Sequence, residues 1–542
     1  MGIERTSWPD HCACGCATKL SFLNESSMSC SFRPFSSFIH CRITRLQDRR
    51  VDIMECAKTR PLDLPEIVAS RPFLSCGSLV RCFRVSKLWH SVLFPCLWEE
   101  TNFAVQGRIE IPTLSLVQKY ASLIQRLSID YHSAPVLFHS AATFSFLTSL
   151  DIRQTPLGDL SDDPALVDFI QRHRELKSVT MNQNVNDALL AALKDCPRLE
   201  SLSLMNQEPV SDPTEWIHHF EQLWSRLHTM SWEDDPYIRP PPQSATTTTV
   251  NWPRSYGPNR IENLSLLFHH SESFPGFYSW IVKQCPDLVR IRWLQAGEGP
   301  GSPMKQLADI FQDDPSFGKK LKDIRLEDMT FENQYFQVLM RSLVQLRCLD
   351  LSLTNFNHES WTILRTTQPA HLRTLTDLNF ENCRHLSGEA IHQMLCEMPN
   401  LKIFLATIVG DKVIMEDARP WVCLGLEQLN LRLSLTRFSA DPSVRSLVLQ
   451  RYLARVGQLK RLEVLIAFLP RDVYGFILFI KLRHGWDALK NLRRLRIANW
   501  TERYGSEDEI RWILENWPLL ESPSRTELQE VLDRGAYSQS NK

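Results

Sequence analysis

One spacing recurs between Ile124 and Trp500: an apolar residue, two variable residues, an apolar residue, one variable residue and a third apolar residue. Fourteen frames fit it, opening at Ile124, Leu147, Leu176, Leu199, Leu227, Ile261, Leu288, Leu321, Leu346, Leu375, Leu401, Leu426, Leu462 and Leu492. The intervals run from 23 to 36 residues and average 28. The apolar positions define the frames, so independent support comes from the residue between the last two of them. It is Ser128, Asp151, Thr180, Ser203, Ser231, Ser265, Arg292, Arg325, Asp350, Asn379, Leu405, Asn430, Ile466 and Arg496. Twelve of these fourteen are polar, where a chain that is 43% hydrophobic predicts about eight, and such alternation marks a half-buried strand. Helical runs that end in proline precede several frames, as in DALLAALKDCPRLESL, YSWIVKQCPDLVRI and EAIHQMLCEMPNLKIF. Proline there stops the helix and turns the chain into the next strand.

A strand and a helix at this period resemble the leucine-rich repeat. The resemblance implies an α/β fold, an irregular leucine-rich-repeat solenoid of about 14 units over residues 123–500, shaped as a horseshoe with parallel strands on its concave face. The family's Asn or Cys after the third apolar residue is matched at Asn184 and Cys383. The 74 leucines are accounted for largely by repeat positions, and the 19 glycines leave the turns to Pro, Asn and Ser. The long intervals after Leu227, Leu288 and Leu426 are the places where the array could break. Loops are expected at 233–258, rich in Pro and Thr, and near 295–303 and 435–443. Residues 501–542 read as a capping helix with Trp512 and Trp517, followed by a frayed tail from 524.

Charge excludes other classes. Sixty-one Lys and Arg against 62 Asp and Glu offer no overall attraction to nucleic acid or an anionic membrane, so neither is expected as a partner. The most apolar window, Leu462–Ile480, is interrupted by Glu463, Pro470, Arg471 and Asp472 and is no membrane span. Ten of the 15 cysteines lie beyond residue 53; Cys82, Cys196, Cys285, Cys348 and Cys396 have apolar neighbours and read as buried, reduced thiols. These features place the chain in the cytoplasm, the nucleus or both. Residues 1–53 read as a disordered leader or a mis-assigned start with Met54 as the true one. Gly2 with Thr6 fits a myristoylation pattern, and Cys12, Cys14 and Cys16 form a CxCxC run, but both signals are weak.

Residues 62–102 form a separate helical module, joined to the repeats by a connector at 103–122. Leu79, Cys82, Phe83, Val85, Leu88, Trp89, Val92 and Leu93 recur at spacings of three and four, a wide apolar stripe. So short a stretch builds little core of its own and must pack on a neighbour. Leu64-Pro65 with Glu66-Ile67, then Phe73-Leu74, then Leu79, Cys82, Val85 and Trp89, then Leu97-Trp98 come in the order of the F-box family. This segment is similar to an F-box over about 40 residues; Pro72 and Ser78 depart from its pattern. The resemblance implies docking onto a Skp-type adaptor, and through it to cullin and RING subunits, by Leu64, Pro65, Ile67, Leu79, Val85, Trp89, Leu97 and Trp98. A plain helical cap on the repeats is the blander reading.

No enzyme chemistry emerges. Gly297-Glu298-Gly299-Pro300-Gly301 lacks the lysine and the strand-to-helix setting of a phosphate loop. His218-His219 and His269-His270 are adjacent pairs, poorly placed to share a metal. No catalytic residue, cofactor or metal is expected. The expected role is substrate recognition for a Skp–cullin–F-box ubiquitin ligase; a ligase-independent interaction scaffold is the alternative. A protein substrate would lie on the strand faces, against Arg290, Arg292, Asp323, Arg325, Asp350, Asp377 and Asn379, with Arg494 and Arg496 further on.

Overall fold

A computed structural model of the chain describes residues 94–95, 98–102, 114–130, 137–153 except 141, 163–207 except 183–184, 222–234, 259–268, 277–295, 303–434 except 331, 441–468, 489–498, 507–520 and 529. The leader, most of the F-box-like module, Asn184 and both histidine pairs lie outside these residues.

Contacts divide the chain into two compact units. One comprises the residues up to Met181 with Ala191–Arg198, the other Asn182–Leu190 with Leu199 onward. In the first lie β1 (Glu100–Asn102), α1 (Leu114–Tyr120), β2 (Arg126–Asp130), β3 (Ser149–Arg153), α2 (Pro164–Arg172) and β4 (Ser178–Asn182). Helix α3 (Asp187–Lys194) contributes to both. In the second, β5 (Ser201–Gln207), β6 (Thr229–Asp234) and β7 (Asn263–Phe268) are followed by α4 (Phe277–Lys283), β8 (Arg290–Gln295), α5 (Pro303–Asp313) and β9 (Asp323–Glu327). Then come α6 (Asn333–Ser342), β10 (Cys348–Asp350), α7 (His358–Thr367), α8 (His371–Thr374), β11 (Asp377–Phe380), α9 (Gly388–Glu397) and β12 (Ile403–Gly410). The unit continues through α10 (Asp411–Glu416), β13 (Gln428–Ser434), α11 (Pro442–Gly457), β14 (Val464–Phe468), β15 (Arg494–Ala498) and α12 (Glu507–Asn516).

In each unit neighbouring strands pair in parallel and in chain order. This is the α/β leucine-rich-repeat fold. Every one of the fourteen frames opens two residues before a strand, from Ile124 ahead of β2 to Leu492 ahead of β15. The three apolar positions of each frame are at most 2% exposed wherever the side chain is described. Within each unit stacking aligns these rows into a core, and each buried leucine is worth about 1.5–3 kcal/mol relative to exposure. The ladder passes unbroken through all three long intervals: β6 pairs with β7, β8 with β9 and β13 with β14.

The structure differs from the sequence reading in four places. Glu100–Asn102, placed at the end of the helical module, is a strand paired with β2 and a fifteenth in the series. Helix α11 begins inside the expected loop 435–443, because Asp441 accepts from Ser443 N at 2.8 Å and Pro442 preorganises the first turn. Residues 233–234, 295 and 303, expected in loops, belong to β6, β8 and α5. Cys196, Cys285, Cys383 and Cys423 are buried free thiols, but Cys348 and Cys396 are partly exposed.

Helices stop where proline dictates: α3 before Cys196-Pro197, α4 before Cys285-Pro286, α9 before Met398-Pro399. Side chains tie successive helices together. Ser360 Oγ donates to Asn333 Oδ1 at 2.6 Å, and Trp361 Nε1 to Gln393 Oε1 at 2.9 Å. At the ends of β9, β10 and β11, Asp328, Leu353 and Asn382 take left-handed φ angles of 53°, 60° and 61°. Asp328 N donates to Ser352 O and Leu353 N to Glu381 O, so the left-handed turn repeats in register. Cys383 follows the last of these turns, and its thiol donates to Leu351 O at 2.9 Å.

Candidate functional site

Strand alternation sends at least two residues of most strands, and a third on the longer ones, to the face opposite the buried rows. In the second unit, the ladder aligns the first of them as Ser201, Thr229, Asn263, Arg290, Asp323, Cys348, Asp377, Ile403, Gln428, Val464 and Arg494. The second row is Ser203, Ser231, Ser265, Arg292, Arg325, Asp350, Asn379, Leu405, Asn430, Ile466 and Arg496. The substrate-face residues expected from sequence therefore share one face, and the middle group occupies four consecutive strands, β8–β11.

This face is zoned. Strands β5–β7 present small neutral polar residues. Strands β8 and β9 present three arginines over more deeply set acids. Arg292 makes a two-pronged bond to Glu327, Nε to Oε1 at 2.7 Å and Nη2 to Oε2 at 2.9 Å. Arg325 meets Asp323 at 3.3 Å, and Arg290 approaches the same carboxylate at 3.9 Å. The acids are 15% exposed and Arg290 67%, so the positive ends face outward. Strands β10 and β11 reverse the sign. Asp350 accepts from Asn379 Nδ2 and from Ser352 N, each at 3.0 Å, and Asp377 from Thr376 Oγ1 at 2.6 Å. Glu381 accepts from Asn430 Nδ2. Among the described residues none of Asp350, Asp377 and Glu381 has a cation at ion-pair distance. Cys348 stands in this strip; burial and then the Asp323 carboxylate push its thiol up, which keeps it protonated.

Beyond β11 the face turns aliphatic. Leu405 and Ile466 are the two residues that break the polar rule of the repeat frames. The register sets them in one row on either side of Asn430, with Ile403 and Val464 beside them on either side of Gln428. All four are partly exposed. Sequence reasoning missed this patch because the two exceptions lie 61 residues apart in the chain. Glu327, Glu381 and Asn430 were missed too, for their roles depend on which strand lies beside them. Arg494 is exposed on β15 in the same row as Val464, and Arg496 aligns with Ile466.

A second cluster has the composition of a nucleophilic triad. His392 on α9 is fully buried, with Nε2 3.4 Å from Asp417 Oδ2 and 3.5 Å from Cys396 Sγ. Trp421 Nε1 donates to His392 Nδ1 at 3.2 Å, so the proton sits on Nε2. That nitrogen has no lone pair with which to take the thiol proton. Burial, then the nearby Arg455 charge, lower the histidine to about 4, and burial pushes Cys396 up to about 11. Arg419 holds Asp417 well below the usual carboxylate range through paired hydrogen bonds. Such a set of groups pins the segment after α10 onto α9.

Of the residues expected to meet an adaptor, only Trp98 is described. It stacks on Tyr120 of α1, with centroids 4.6 Å apart, so one face of the ring is occupied by its own chain. Leu64, Pro65, Ile67, Leu79, Val85, Trp89 and Leu97 lie outside the described residues.

No helix among the described residues is long and apolar enough to cross a membrane. No protein-family model and no curated protein matches the chain. Three of the solved structures that match it are each 13% identical to it. An internalin of Listeria monocytogenes has a TM-score of 0.36, covering 71% of this chain and 89% of that one. The complex of Rad7 and Elc1 from yeast gives 0.40, with 73% and 96% covered. A complex of TLR13 with single-stranded RNA gives 0.33, with 66% and 53% covered. The class is set by the fold itself: a solenoid of leucine-rich repeats.

Proposed function

We propose that this chain is a substrate receptor of a Skp–cullin–F-box ubiquitin ligase. The observation that carries the reading is the coupling of two features: ordered F-box landmarks at 62–102 and a repeat array whose strand face is charged and accessible. Leu64, Ile67, Leu79, Val85 and Trp89 bury against the adaptor, while the strand face holds a substrate protein. The chain itself contributes proximity and orientation, and the partner enzymes contribute catalysis. Charge zones of the kind seen on β8–β11 steer and select a partner more than they add affinity.

The test is co-precipitation of the intact chain with a Skp-type adaptor. Binding is expected, and Leu79→Asp combined with Trp89→Ala should abolish it while leaving the thermal unfolding of the repeats unchanged. An intact chain that captures no adaptor, or a double variant that captures as much, means a ligase-independent scaffold.

A further inference from the structure

The four aliphatic residues on the strand face are not scattered. At the first two outward positions of the eleven described strands of the second unit, Ile, Leu or Val occurs only on β12 and β14; at the third, Leu267 of β7 pairs with Leu294 of β8. Outward positions of a half-buried strand favour polar residues, because apolar area left in water costs about 25 cal/mol per Å². A cluster of such residues on an accessible face marks a place where another surface closes over it. Its surroundings are charged in a fixed order. On one side stand the acids of β10 and β11, with no cation at ion-pair distance among the described residues. Arg292 and Arg325, on the strands before them, are engaged with Glu327 and Asp323. Arg432 is exposed on β13, between the two aliphatic strands, and Arg494 on β15 beyond them.

Resting on the reading of this face as the substrate surface, we infer that Ile403, Leu405, Val464 and Ile466 anchor a protein segment whose aliphatic side chains follow one or more Lys or Arg residues. The basic residues lie over Asp377 and Glu381, and the aliphatic ones reach β12 and β14. Strand spacings of ~4.8 Å put β14 about 14 Å from β11, the reach of four to five extended residues. The charge order also sets direction. A segment laid the opposite way takes its cations away from Asp377 and Glu381, and one with acids in place of the lysines meets them.

Two short labelled peptides test this, both with the same aliphatic residues, one preceded by lysines and the other by glutamates. Fluorescence anisotropy with the full chain should show the lysine peptide binding roughly ten-fold tighter. Leu405→Asp with Ile466→Asp should weaken it by a similar factor. Asp377→Lys removes or inverts the preference; it changes a partly exposed residue, so it carries the test even if the aspartates unfold the sheet. Phe146→Asp, at an exposed aromatic elsewhere, should change nothing. Equal binding of the two peptides, no binding, or a preference untouched by Asp377→Lys overturns the inference. Adaptor capture by the same preparations reports separately on the ligase reading: a chain that selects the lysine peptide yet captures no adaptor keeps this site and loses that role.

Discussion

Leu353 shows how a single residue can be read only in its repeat. Its φ of 60° is one that L-residues adopt at a cost, and the equivalent positions in the flanking repeats are Asp328 and Asn382, residue types that tolerate it. It is also 52% exposed, so its side chain gains little from burial. Leu353→Asn is expected to stabilise the protein by about 1 kcal/mol, seen as a raised midpoint of thermal unfolding. His392 is the opposite case, fully buried and bonded on both ring nitrogens. His392→Phe leaves Trp421 Nε1 without its acceptor and removes a partner from Asp417. A loss of about 2–4 kcal/mol in chemical denaturation is expected. Nothing in the string EAIHQMLCEMPN distinguishes this histidine from a surface one, because Trp421 and Asp417 come to it only through packing.

Elements here are set by local chemistry and joined by close approach. Asn357 caps α7 by accepting from Ser360 N, and Ser360 Oγ completes a capping box. Asn357→Ala should cost about 1 kcal/mol, measured by the urea midpoint. Gly388 opens α9 where the end of β12 comes near: a Cβ there would stand 2.5 Å from Gly410 N. Gly388→Ala is expected to destabilise by about 1–3 kcal/mol, since the neighbour is backbone and cannot rotate away. Gly410→Ala has open space around its Cβ and should change stability by less than about 1 kcal/mol. A measured equality of the two variants would mean that α9 and β12 do not meet so closely.

At the scale of the molecule, buried histidines make stability depend on acidity. His173, His371 and His392 are all lowered from 6.5, chiefly by burial, and His392 to about 4. Above pH 6.5 these groups are neutral folded and unfolded, and contribute no pH dependence. Below it the unfolded chain binds protons that the folded one refuses, so stability falls as pH drops from 6.5 towards about 4. Unfolding midpoints measured between pH 7.5 and pH 4.5 should decline, and His392→Phe should flatten part of the slope. A flat profile in the native chain would contradict the burial of these rings. How much of this was legible in the sequence follows from the range of each interaction. The strand–helix period was legible, since alternation and proline stops are local, and it placed all fourteen frames ahead of their strands. The fifteenth strand, Glu100–Asn102, was not, because three residues carry no period and only pairing with β2 makes them a strand. The polar face was legible as a list of residues, from Arg290 to Asn379, but not as zones. Whether Arg292 bonds Glu327, whether Leu405 stands near Ile466, and whether His392 meets Trp421 depend on which repeat stacks on which and in what register. The sequence alone determined the unit and its buried side, because a repeat's own apolar spacing dictates them. Only the tertiary structure decided what the exposed side offers, because that surface is assembled across strands some 25–36 residues apart in the chain.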